Sequence, residues 1–392
     1  MRYLLLAAAI AFTTPAFADD AGKYQAVLGD CAGCHGKNLA GGITLVTPFG
    51  KIVTPNITPD KDTGIGNYSA EDFRKAMKEG MAPGGKRLYP AMPYPYYARM
   101  RDGDVAALWS YIKAVKPVRN SVNVNQLNFP FNLRILMAGW NWLFFKPSEK
   151  ADMMADAWPA DRYAVFSRGR YLVQGAGHCG ACHAPKNLFG ADKDTLSGAS
   201  LQGWWAPDLT SAPMSGLASW SESDIVTYLG TGHNSRSSAS GPMAEAVENS
   251  TSLMKDGDLH AVATYLKTLP ASDGNGGGAG ASSQMTAGAG VYRVNCAACH
   301  GLNGKGSAIF PPLAGNPVVT QSSAESLGRV VLAGARAAAT AKAPTGQGMP
   351  SFAWKLQDGD VANVLTYIRN TWGNAAPAVS ADDVNKIRSS IH

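Results

Sequence analysis

Charged residues are scarce in this 392-residue chain, at 16% against 45% apolar residues. That balance excludes a disordered polymer and leaves apolar material for two or three compact cores, since domains commonly run to about 100–200 residues. Long greasy runs are missing too. Neither the stretch from Leu4 to Phe12 nor that from Ile135 to Phe145 reaches the ~20 residues a membrane-spanning helix needs. No Gly-x-Gly-x-x-Gly follows a strand pattern, and no serine, histidine and aspartate stand in a supporting context, so the usual dinucleotide and nucleophile signatures are absent. No cysteine is left over for a disulfide or a free thiol, because all six fall in one repeated pattern.

That pattern is Cys31-Ala32-Gly33-Cys34-His35, Cys179-Gly180-Ala181-Cys182-His183 and Cys296-Ala297-Ala298-Cys299-His300. Two cysteines three apart on a helical turn project to one side, where both sulfurs reach the two vinyl groups of one porphyrin. The histidine that follows points its imidazole at the iron. A thioredoxin-like pair or half a zinc site would not place a histidine after the second cysteine three times over. The reading is three covalently bound haem c groups.

Attachment supplies one axial ligand per iron, and the sixth position decides between electron transfer and ligand chemistry. Each haem motif is followed by an Asp-Gly-Asp at 102–104, 256–258 and 358–360, and then by Tyr111, Tyr265 and Tyr367. Apolar residues recur at helical spacing after each signature, so each starts a closing helix whose acidic residues suit its N-terminus. An opening helix is expected before each motif. Between motif and closing helix lies a methionine beside proline: Met92, Met243 and Met349. These are the expected sixth ligands, since Met/His ligation suits an electron carrier; methionine as gap-filler is the plainer alternative. Only His178, His233, His260 and His392 lie outside the motifs, and His233 is the rival to Met243. Pro55, Pro207 and Pro311 recur in a loop after each motif, where their carbonyls are expected to accept the imidazole's other N–H.

The first residues, Met1, Arg2, an apolar run and Ala16-Phe17-Ala18, read as a cleaved export signal over 1–18. The expected organisation continues with cytochrome domains over 19–117, 160–270 and 284–373. An apolar segment and linker fill 118–159, a Gly/Ser linker 271–283, and a tail 374–392. The fold expectation is all-α, with three tandem class I cytochrome c domains. Residues 127–145 carry only Arg134 as a charge and are rich in Trp and Phe, which suits either an interfacial patch or core packing. The residues from Asn385 to His392 bring no greasy tail, which argues against attachment at that end. The formal charge of +6 is offset by the propionates of the haems, so it gives no reason to expect nucleic-acid binding.

Several stretches resemble a known family: Tyr89-Pro90-Ala91-Met92-Pro93-Tyr94, Gly169-Arg170-Tyr171-Leu172-Val173 before the second motif, Gly203-Trp204-Trp205-Ala206-Pro207-Asp208-Leu209-Thr210, Gly241-Pro242-Met243-Ala244-Glu245, Phe310-Pro311-Pro312-Leu313-Ala314-Gly315-Asn316-Pro317 and Tyr367-Ile368-Arg369-Asn370-Thr371-Trp372-Gly373-Asn374. The chain resembles the tri-haem cytochrome c subunit of bacterial membrane-bound dehydrogenases that oxidise alcohols, aldehydes, sugars or sugar acids. The resemblance implies a periplasmic relay at the inner-membrane surface. Electrons would come from a large subunit holding flavin or pyrroloquinoline quinone, with a small third subunit alongside, and pass to ubiquinone or a downstream oxidase. No substrate oxidation is then expected of this chain alone. The alternatives are a free-standing periplasmic carrier and a peroxidase-type enzyme with one open iron.

Overall fold

A computed structural model describes residues 15–146, 159–273 and 280–391. Residues 1–14, on which the export signal mainly rests, lie outside them, as do 147–158 and 274–279 of the linkers and His392.

The same helix crossing is built three times. The opening helices Pro15–Leu28, Ala160–Tyr171 and Ser282–Asn295 pack on the closing helices Asp102–Ala114, Asp256–Leu266 and Asp358–Arg369. A glycine makes each approach possible. A Cβ on Gly22 would sit 2.1 Å from the Ala107 carbonyl oxygen, one on Gly169 1.9 Å from that of Ala261, and one on Gly288 2.2 Å from that of Asn363. The next residue met is Tyr111, Tyr265 or Tyr367, through its Cβ at 2.6, 2.8 and 2.7 Å, the tyrosines that follow each Asp-Gly-Asp. The closing helices bury the faces their periodicity requires, including Val105, Leu108 and Ile112, then Leu259, Val262 and Leu266, then Val361, Leu365 and Ile368.

Further helices form where local signals are strong. Ala70–Glu79 and Glu222–Thr231 each open with a reciprocal cap, Ser69 with Asp72 and Ser221 with Asp224, and close on a left-handed glycine, Gly80 or Gly232. Residues after 373 form the helix Ala381–Ser389, which buries Val384 and Ile387 in the third core.

The all-α expectation is overturned. Helix makes up 44% of the described residues, and four small antiparallel sheets are present among them. Thr44–Thr47 pairs with Gly50–Val53, which pairs in turn with Asn125–Leu127. Two-stranded ribbons join Met81–Ala82 to Lys86–Arg87, Ala199–Leu201 to Trp204–Ala206, and Ala335–Arg336 to Gly348–Met349. Strands of two to four residues are too short for alternation to show in sequence, and the partner Asn125–Leu127 lies far along the chain.

The cores are distributed unevenly. One continuous core joins the first two parts, running from Leu28, Phe73 and Leu108 to Phe166, Leu172 and Tyr265. The third part has its own core around Tyr292, Leu332 and Leu365. It meets the second through Ser326, which receives the Trp205 N–H and donates to the Trp205 carbonyl at 2.7 and 3.0 Å.

Candidate functional site

Each Cys-x-x-Cys-His forms a short helical turn at the end of its opening helix: Cys31–His35, Gly180–His183 and Ala297–His300. In the first, Asp30 adopts a left-handed backbone (φ 44°) and its carboxylate accepts the Gly33 N–H. In the second, a single π-helical turn, Leu172–Ala176, lies between opening helix and motif and adds a residue to the connection.

The three histidines are held identically. Nδ1 of His35 lies 2.8 Å from the Pro55 carbonyl oxygen, that of His183 2.7 Å from Pro207, and that of His300 3.0 Å from Pro311. This contact fixes the tautomer, leaving Nε2 with its lone pair. Burial pushes all three imidazoles below their ordinary pKa, against the opposing pull of the carbonyl.

The six cysteines are unpaired. Burial pushes the Cys31 and Cys179 thiols up to about 12 and those of Cys34 and Cys296 to about 11. Such thiols are neutral at ordinary pH, unlike a redox-active or zinc-bound cysteine. Among the described residues, no three His, Cys, Asp or Glu side chains gather as a metal site. Paired thiols beside an imidazole with a free Nε2 fit a covalently attached haem.

The methionines sit in three different backbone settings. Met92 follows a turn closed by its N–H on the Tyr89 carbonyl and leans on the shared core. Met243 occupies the first turn of the helix Pro242–Asn249 beside Ala244 and Val247. Met349 is a strand residue paired with Ala335 and packs on the third core. Of the other histidines, His178 turns Nδ1 to the Ala176 carbonyl oxygen at 3.1 Å and sets its ring edge-on to Tyr97. His233 is half-buried in an isolated bridge with Ser238, and His260 is exposed.

Several residues that shape these loops were missed by sequence reasoning. Asn56 accepts the Thr58 N–H and hydroxyl, and Asp208 accepts the Thr210 N–H, so each folds its proline loop back on itself. The signal was there: Pro-Asn/Asp-x-Thr occurs at both 55–58 and 207–210. In the third loop a distant residue, Asn374, donates to the Leu313 carbonyl and accepts the Gly315 N–H.

The apolar segment divides its faces. In the helix Leu136–Phe144, Asn141 accepts a hydrogen bond from the buried Tyr94 hydroxyl at 2.6 Å, and Trp140 Nε1 donates to the Phe189 carbonyl at 3.0 Å. Outward, Phe129, Ile135 and Trp142 are 79%, 74% and 82% exposed. No helix among the described residues is long and apolar enough to cross a membrane.

The cytochrome c family model matches residues 20–116 and 285–372. The expectation of three class I domains is therefore corrected: the model matches two stretches and leaves out residues 160–270, where the π-turn changes the spacing from opening helix to motif. The chain is 40% identical to the gluconate 2-dehydrogenase cytochrome c subunit of Pantoea cypripedii, over 94% of this chain and 88% of that protein. It is 39% identical to the cytochrome c subunit of the quinone alcohol dehydrogenase of Gluconobacter oxydans, over 94% and 81%. With the fructose dehydrogenase cytochrome subunit of Gluconobacter japonicus it shares 37% identity over 94% and 82%.

Proposed function

Because the chain belongs to the family of cytochrome c subunits of dehydrogenases, we propose that it relays electrons from a periplasmic flavin- or pyrroloquinoline-quinone-dependent subunit to ubiquinone or the respiratory chain. The family binds haem c covalently, and here three groups are assigned. Cys31 and Cys34, Cys179 and Cys182, and Cys296 and Cys299 form the thioethers. His35, His183 and His300 would each donate to an iron, with Met92, Met243 and Met349 as the second protein donors. With two protein donors each, the irons would exchange electrons and offer no position for substrate. The observation that carries the reading is the threefold contact of imidazole Nδ1 with Pro55, Pro207 and Pro311.

The protein's own part is positional. The proline carbonyls orient each imidazole and keep its Nδ1 proton, which makes Nε2 the better donor. The apolar cores beside the motifs would keep water from the groups so held. The outward face carrying Ile135 and Trp142 suits peripheral contact with the inner membrane, as aromatic side chains favour the lipid–water boundary. Alkaline pyridine haemochrome spectra and intact mass of the purified chain test the assignment. Three thioether-bound haems per chain, with a large dehydrogenase subunit co-purifying from detergent-solubilised membranes, is the expected result; two haems or fewer overturn it.

A further inference from the structure

Gln321 belongs to the third part of the chain, yet its side chain is spent on the second. Both it and Asp208 are 2% exposed. Gln321 Oε1 accepts the Asp208 N–H at 3.2 Å and the Trp205 indole N–H at 3.1 Å. Its Nε2 donates to the carbonyls of Ser215 and Pro317, both at 2.6 Å. Every polar atom of the amide is therefore engaged, so its orientation is determined. The loop that presents it is held from beneath by Arg369, which is fully buried and donates to the carbonyls of Val319, Gln321 and Ser323 at 3.0, 2.7 and 3.4 Å.

The Asp208 N–H and the Pro207 carbonyl belong to one peptide group. Gln321 binds the N–H end, and His183 Nδ1 binds the carbonyl end at 2.7 Å. Hydrogen bonds in series polarise one another, so an acceptor on the N–H makes the carbonyl a stronger acceptor. A stronger acceptor draws the Nδ1 proton and makes Nε2 the better donor. The other two sites lack this device. Among the described residues no side chain plays the part of Gln321 at the Pro55–Asn56 peptide, and the peptide after Pro311 leads into Pro312, which has no N–H.

We propose that Gln321 is a positioning residue for the second haem site, through which the third part of the chain lowers the reduction potential set by His183. The proposal rests on the reading that His183 ligates a haem. Its test is a spectroelectrochemical titration of the purified holoprotein. Gln321→Met, similar in length and without an acceptor oxygen, should move one of three redox components to higher potential and leave two in place. Gln321→Glu, which retains an acceptor oxygen, should return that component to the wild-type value or below. Haem content and thermal melts are measured on the same samples. Fewer than three haems in the wild-type protein would defeat the functional reading itself. Three haems in folded Gln321→Met with no component moved, or with all three moved alike, would overturn the role of Gln321 alone.

Discussion

At the Asp-Gly-Asp that opens each closing helix, the first two parts of the chain exchange tyrosines, whereas the third takes its partners from within itself. Tyr24, from the first opening helix, donates to Asp258 at the start of the second closing helix, at 2.6 Å. Tyr171, from the second opening helix, donates to Asp104 at the start of the first closing helix, at 2.5 Å. The pairing is reciprocal down to the cations: Lys255 lies over the Tyr24 ring and Arg101 over the Tyr171 ring, at 4.7 and 5.1 Å from the centroids. Arg168 adds a two-pronged bond to Asp258 at 2.8 and 2.7 Å. In the third part, Asp360 closes a cap with Gln357, and Asp358 takes Arg388 and Asn385 from the chain's own last helix.

One position explains the contrast. Tyr24 and Tyr171 each stand two residues after the crossing glycine, Gly22 or Gly169, and the matching place after Gly288 is Gly290. Around Gly290 there is open space. The same Asp-Gly-Asp therefore serves as a helix start in all three parts and as half of a clasp in only two. A repeated motif specifies its local geometry; a partner arrives only where a neighbouring residue supplies one.

Breaking the clasp at its charged member should have the largest effect. Arg168→Met leaves Asp258, whose side chain is 12% exposed, with the Tyr24 hydroxyl as its remaining side-chain hydrogen-bond donor among the described residues, and should cost about 3 kcal/mol. Hydrogen exchange on the holoprotein should show the loss in the helices Pro15–Leu28 and Asp256–Leu266 while Asp358–Arg369 stays protected. Equal loss in the third part would erase the contrast. Tyr24→Phe and Tyr171→Phe should each cost about 1 kcal/mol in denaturant unfolding. Their sum in the double variant shows whether the two ends of the clasp act independently.

Acid should act at the same seam. Burial pushes the Asp258 carboxyl upward, but the bonds from Arg168 and Tyr24 outweigh it and hold it below the ordinary carboxylate value. A depressed folded pKa means the stabilisation is present above the unfolded value of about 3.9 and is lost as pH falls through the folded one. Exchange protection across the seam should therefore fall below about pH 4, and Asp258→Asn should flatten that dependence. Gly290→Tyr should have the smallest effect. With nothing near its Cβ and a helix around it, a gain of about 0.5 kcal/mol is expected, and a differential melt of the third part would register it.

The positions of the haem motifs, the helices on either side and the proline loops could be read from the chain because each is local. Cys-x-x-Cys-His spans one helical turn, and the closing helices follow a period of apolar residues that burial then respects. The ribbons could not be read, since two or three residues carry no period. The crossing glycines were visible at 22, 169 and 288, but their purpose shows only when a carbonyl from the closing helix is seen within about 2 Å of the missing Cβ.

What the sequence determined by itself is chemistry at short range: six thiols in three pairs, a histidine after each pair, and a proline whose carbonyl the folded loop turns back to that histidine. Tertiary structure alone decided which parts share a core, which aspartate receives which tyrosine across 234 residues, and that Gln321 reaches the peptide beside His183 from 113 residues away. The physical reason is range. A helical turn and a cap are set by atoms a few bonds apart, whereas a clasp or a polarised peptide needs two surfaces brought together by apolar burial that has no direction of its own.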